Sequence, residues 1–149
     1  MRIFITGANG FIGGAVASVL IAGGHQVRGL VRDPAKAETV RAHGIEPVIG
    51  SLDDSSLLQA EARDADGVVN AANSGHRAAV EALIAGLSDS GKPLVHTSGT
   101  SIIADRAMGE PSDRIFHEAT PIRPEPERAR STGWCLTPPA FARSCCAIR

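Results

Sequence analysis

Three glycines near the amino terminus have the spacing that anion chemistry needs. Gly7, Gly10 and Gly13 follow a short apolar run and precede an apolar helical repeat. Gly7 is placed to let the chain reverse sharply without a Cβ clash. Gly10 is placed to let the backbone approach a pyrophosphate, and Gly13 to let the following helix pack close against the strand. The main-chain N–H groups at the start of that helix would face the anion with the helix dipole behind them. Asn9, Phe11 and Ile12, which lie between these glycines, join them as candidate cofactor-binding positions. The turn predicts a dinucleotide. A second set of groups could act on a substrate: the hydroxyls of Ser98, Thr100 and Ser101. His96 and His117 are weaker candidates, since neither has an orienting partner recognisable in the sequence. The chain contains no tyrosine, which limits any acid/base scheme.

The elements that must position these groups alternate between strand and helix through residue 98. Arg2–Thr6 reads as the first strand. The helix Phe11–Ala22 comes next, with Ile12, Val16, Val19 and Leu20 at helical intervals and Gly23-Gly24 as its stop. His25–Val31 reads as the second strand. Asp33 and Pro34 open a helix that runs to about His43, aspartate as N-cap and proline at its first position. Glu46–Ile49 is a third strand, and 53–63 a helix capped by Asp53 or Asp54. Gly67–Ala71 is a fourth strand, Gly75–Ser90 a long helix, and Pro93–Thr97 a fifth strand. Strands joined by helices of this length pair in parallel, and right-handed crossovers wind them into a doubly wound α/β sheet, a Rossmann fold. The expected strand order is 3-2-1-4-5, with a ligand crevice at the carboxyl ends of strands 1 and 4. Residues 104–128, rich in proline and charge, read as loop. The stretch beyond has neither helical nor strand periodicity, so 1–127 is taken as the binding domain and 128–149 as an atypical tail.

Composition narrows the function classes. A chain of 149 residues with a formal net charge of −1 has no electrostatic footprint for nucleic acid or an anionic membrane. No apolar stretch approaches the roughly 20 residues of a bilayer span, and the early glycine turn interrupts any secretory h-region. A cytoplasmic location is expected. Cys135, Cys145 and Cys146 match no zinc spacing. Asp105, Glu110, Asp113 and Glu118 read as solvated loop charges, so no metal site is expected.

Four segments in order, each at a strand end, carry a resemblance: Thr6-Gly7-Ala8-Asn9-Gly10-Phe11-Ile12-Gly13, Gly50-Ser51-Leu52-Asp53-Asp54, Val68-Val69-Asn70-Ala71-Ala72-Asn73 and Val95-His96-Thr97-Ser98-Gly99-Thr100. They resemble the short-chain dehydrogenase/reductase superfamily, in its extended or atypical branch that includes NAD-dependent epimerases and dehydratases. The resemblance implies an adenosine ribose site at the end of the second strand, where the family often has an acid. Here Val31 and Arg32 stand there. A guanidinium suits bidentate pairing with a 2′-phosphate, and Lys36 could add a second charge. NADP is therefore expected over NAD, with NAD as the alternative cofactor. The adenine position of the third strand carries Ser51 in place of an aspartate, with the Leu52 amide beside it. Ala71, Ala72 and Asn73 suit close passage of the cofactor past the fourth strand.

The same resemblance implies hydride transfer to or from a carbon of a carbonyl, alcohol or sugar-type small molecule, with Ser98 or Thr100 touching the substrate oxygen. The family's tyrosine–lysine pair is missing, and Lys92 precedes the fifth strand, at the wrong end of the sheet. The expectation is an impaired oxidoreductase or epimerase-like chain without a full C-terminal substrate domain, its residues from about Arg130 replaced or read in a shifted frame. The alternative is a non-catalytic NADP-binding sensor or regulatory module. A missing sixth strand and C-terminal domain would leave apolar surface uncovered, which favours a homo-oligomer.

Overall fold

The computed structural model describes residues 1–99 together with 110, 111, 113 and 115. Thr100, Ser101, Asp105, His117, Glu118 and the tail 128–149 lie outside the described residues, as does most of the expected 104–128 loop. Five strands, β1 (Arg2–Thr6), β2 (Gln26–Val31), β3 (Glu46–Ile49), β4 (Gly67–Asn70) and β5 (Leu94–His96), form one sheet. Its order is β3-β2-β1-β4-β5, and every pairing is parallel. This is the doubly wound Rossmann arrangement that the alternating pattern predicts.

Helices α1 (Phe11–Ala22), α2 (Ala37–Ala42), α3 (Ser55–Asp64) and α4 (Arg77–Leu87) make the crossovers. Alternation along β1 divides the core between the two sheet faces. Ile3 and Ile5 point one way, and bury against Ala17 of α1 and Val40 of α2 together with Val27, Val31 and Ile45. Phe4 points the other way, on the side of α3 and α4, where Leu58, Val80, Leu83 and Leu87 are also fully buried. Each such side chain contributes about 1.5–3 kcal/mol of transfer free energy. On this second face Arg28 of β2 pairs with Glu46 of β3 at 3.3 Å and with Glu61 of α3 at 2.8 Å. Burial pushes the Glu61 carboxyl above its ordinary value, and the Arg28 charge pulls the other way.

Several boundaries differ from the sequence reading, each for a local reason. The N–H of His25 donates to the Leu20 carbonyl, which closes α1 and leaves β2 to begin at Gln26. Asp33 does act as a cap, its Oδ1 accepting from Ala35 N–H, but the turn it caps, Pro34–Lys36, is a tighter 3-10 turn ahead of α2. Asp54, not Asp53, caps α3. Asn73 Oδ1 accepts from Gly75 N–H, so the chain turns through Gly75 and α4 starts two residues later. Within α1, Ile12 and Val19 are exposed and the buried line runs through Gly13 and Ala17. Small residues there bring the helix axis close to the sheet, and Val16, Leu20 and Ile21 pack partly buried at the flanks of that line.

Candidate functional site: the carboxyl edge of the sheet

Gly7 adopts φ +74°, and a Cβ there would lie 2.8 Å from the Ala71 carbonyl oxygen and 2.9 Å from the Ala72 nitrogen. A Cβ on Gly13 would lie 2.2 Å from the Gly7 carbonyl oxygen. The two absent side chains therefore let the β1–α1 turn fold onto itself and seat it against the loop after β4. Gly10 holds the turn by donating its N–H to the Gly7 carbonyl at 2.9 Å. Gly10 is also the N-cap of α1, so no side chain caps this helix, and no acid stands in its first turn. The first-turn amides of Phe11, Ile12 and Gly13 are thus left to a ligand, with the positive end of the helix dipole behind them. Phe11 is 95% exposed at this mouth and Ile12 is half exposed. A crevice that a Cβ would fill, beside an uncapped helix, fits a bound pyrophosphate.

Arg32 and Lys36 are both exposed at the end of β2. Asp33, the acid between them, turns one oxygen onto the backbone as a cap. The N–H of Gly50 donates to the Val31 carbonyl, so β2 and β3 end together and release Arg32 and Ser51 side by side. Ser51 and Leu52 are half-buried. Ser51 Oγ donates to Asp53 Oδ2 at 3.0 Å and accepts from the Asp53 N–H at 3.2 Å. Of the fourth-strand group, Ala71 donates its N–H to the Thr6 carbonyl, Ala72 is exposed, and the Asn73 side-chain oxygen is engaged in its own turn.

Beneath this edge runs a buried polar ladder that the sequence reading did not find. Thr6, Asn70 and His96 occupy the same register on β1, β4 and β5. Thr6 and Asn70 are wholly buried. Asn70 Oδ1 accepts from the Thr6 hydroxyl at 2.5 Å and from Ala72 N–H at 3.4 Å, which turns its Nδ2 toward His96 Nδ1 at 3.0 Å. That ring nitrogen must then accept, and the neutral His96 carries its proton on Nε2. Burial lowers the His96 pKa. Every polar atom of the Asn70 side chain is thereby used to join three strand ends. The legible signal was a polar residue in an otherwise apolar central strand.

Ser98 lies two residues beyond the end of β5 and is exposed. Among the described residues, no group of His, Cys, Asp and Glu could hold a metal ion, and no helix is long and apolar enough to cross a membrane.

Comparison with known proteins agrees with this geometry. A family model described as NAD(P)H-binding matches residues 7–117. The chain is 42% identical over 130 residues to the oxidase ucsJ of an Acremonium species, an alignment that covers 78% of this chain and 37% of that protein. It is 33% identical over 118 residues to a 4-hydroxy-2-methyl-3-oxo-4-farnesyl-3,4-dihydroquinoline-1-oxide ketoreductase of Stigmatella aurantiaca, covering 70% of this chain and 35% of that one. Among solved structures, the yeast methylglyoxal/isovaleraldehyde reductase in complex with NADPH shares the fold with a TM-score of 0.60 at 24% identity, over 70% of this chain and 40% of its own. The chain spans under half the length of these relatives.

Proposed function

Because the chain belongs to the NAD(P)H-binding family and its motifs resemble the short-chain dehydrogenase/reductase superfamily, we propose that it is the cofactor-binding part of an NADP-preferring oxidoreductase or epimerase-like protein. The observation that carries this reading is the uncapped α1 terminus facing a turn from which two Cβ atoms are missing. In this proposal the amides of residues 9–13 hold the pyrophosphate, and Arg32, with Lys36 behind it, takes the 2′-phosphate. Ser51 and the Leu52 amide meet the adenine. Ala71, Ala72 and Asn73 form the wall past which the cofactor runs. When bound, the nicotinamide would exchange a hydride with a carbonyl or alcohol carbon of a small molecule, and Ser98 and Thr100 would orient the oxygen on that carbon. The ketoreductase and reductase names among the relatives support this class of reaction.

No residue of this chain supplies the usual tyrosine proton. That absence favours a second reading, a module that binds NADP without turning it over. Calorimetry with NADP and NAD, beside NADPH oxidation against a panel of carbonyl compounds, separates the two. Binding with turnover supports the enzyme, and binding alone supports the sensor. Failure to bind either nucleotide overturns both. A binding domain over 1–127, a cytoplasmic location and self-association belong to the same proposal, and sedimentation at micromolar concentration tests the last.

A further inference from the structure

α3 and α4 lie side by side on one face of the sheet, so the two loops that lead into them meet. At the meeting point His76 is the N-cap of α4. Its Nδ1 lies 3.2 Å from the N–H of Ala79, and a backbone N–H can only donate. Nδ1 is therefore the acceptor of this cap, which leaves the Nε2–H as the ring's donor. That N–H points at Asp53 Oδ1, 3.0 Å away. The other carboxylate oxygen of Asp53 accepts from Ser51 Oγ. Both oxygens of this 85% exposed side chain are thus tied down from two loops. The tether has a measurable trace: the Asp53 carboxyl titrates below its ordinary value, first because of the His76 hydrogen bond, then that of Ser51, and to a lesser degree because of the nearby Arg32 charge.

The influence of Arg32 matters because the Asp53 carboxylate and a 2′-phosphate compete for the same guanidinium. A loose carboxylate within the field of a solvated guanidinium pairs with it. It also repels a phosphate that approaches the same spot. We propose that His76 is a specificity-determining residue: by fastening Asp53 to the start of α4, it keeps that carboxylate away from Arg32 and leaves the guanidinium open to a 2′-phosphate. This inference rests on the reading of Arg32 given under Proposed function. His76 touches no cofactor atom. It acts through Asp53, and Ser51 is its accomplice on the opposite side of the carboxylate.

The experiment measures dissociation constants of NADP and NAD for the full chain and for His76→Ser, Asp53→Asn, the double variant and Arg32→Ala. Serine retains the helix cap but cannot span to Asp53. His76→Ser should lower the NADP-over-NAD preference by roughly two- to fivefold, the range of an exposed charge pair. Asp53→Asn should leave the preference within about twofold, and in its background His76→Ser should have no effect. A His76→Ser loss that persists in the Asp53→Asn background overturns the tether, as does a preference that depends on Arg32 yet ignores His76. A preference unchanged by Arg32→Ala overturns the phosphate reading beneath it. The ring 15N shifts of His76 in the free protein decide the tether without any cofactor and without a variant that must fold. A proton on Nε2 supports it, and an unprotonated Nε2 ends it.

Discussion

The two ends of the ligand edge are built from different materials. At the β1–α1 end the proposed chemistry belongs to the backbone: Gly7, Gly10 and Gly13 lack side chains, and α1 begins without a side-chain cap, which leaves amides and a helix terminus as the groups offered to a ligand. At the β4–β5 end the work falls to side chains. Asn70 gathers Thr6, Ala72 and His96, and the tyrosine that the family places near this end is missing from the sequence. A main-chain site survives as long as the turn survives. A side-chain site is lost with one residue. The chain can therefore retain the family's cofactor end while lacking the family's acid/base pair.

The comparison breaks most sharply at Gly13. Gly13→Val places carbon 2.2 Å from the Gly7 carbonyl and should abolish nucleotide binding in calorimetry, with an overpacking cost of about 1–3 kcal/mol in a urea melt. Wild-type affinity in that variant would refute the backbone account. Next comes Asn70→Leu, which removes the Asn70 hydrogen bonds to Thr6 and to the ring of His96. It should cost about 1–3 kcal/mol in stability and disturb both ends at once, since Ala72 lies against the glycine turn. Arg32→Ala should reduce NADP affinity about tenfold, the worth of a charge-assisted phosphate contact, and leave NAD affinity nearly unchanged.

The smallest effect is one of pH. His96 has a folded pKa below its unfolded value, so the unfolded chain takes up the proton first. Its contribution to stability is whole above the unfolded value near 6.5 and declines as pH falls through and below that value. The stability difference between wild type and His96→Asn, followed by urea melts between pH 7.5 and 5.5, should shrink or reverse toward acid. A pH-independent difference would remove burial of the ring as its cause.

Much of the β1–α1 end was legible because its signals are local. Gly7, Gly10 and Gly13 fall within seven consecutive residues, and β1, α1 and β3 begin and end where the pattern places them. The strand order followed from the alternation of elements and the handedness of crossovers. What escaped was non-local. Asp53 and His76 lie 23 positions apart and meet only because α3 and α4 pack together. The pair Asp53-Asp54 left the capping residue open, and the one not needed as a cap proved to be the tethered one. Asn70 and His96 were read singly, as a strand residue and a weak candidate for acting on a substrate, although their shared register makes them partners.

The bond between Thr6 and Asn70 joins positions 64 apart in the chain. Such a contact forms only after a long segment has been closed into a loop, late among the events of folding. Until β4 arrives beside β1, the glycine turn has no opposite wall. A nucleotide that needs both sides therefore selects molecules in which the two halves of the sheet have already joined, and by mass action draws the population toward them. Bound dinucleotide should therefore slow proteolysis of the purified chain.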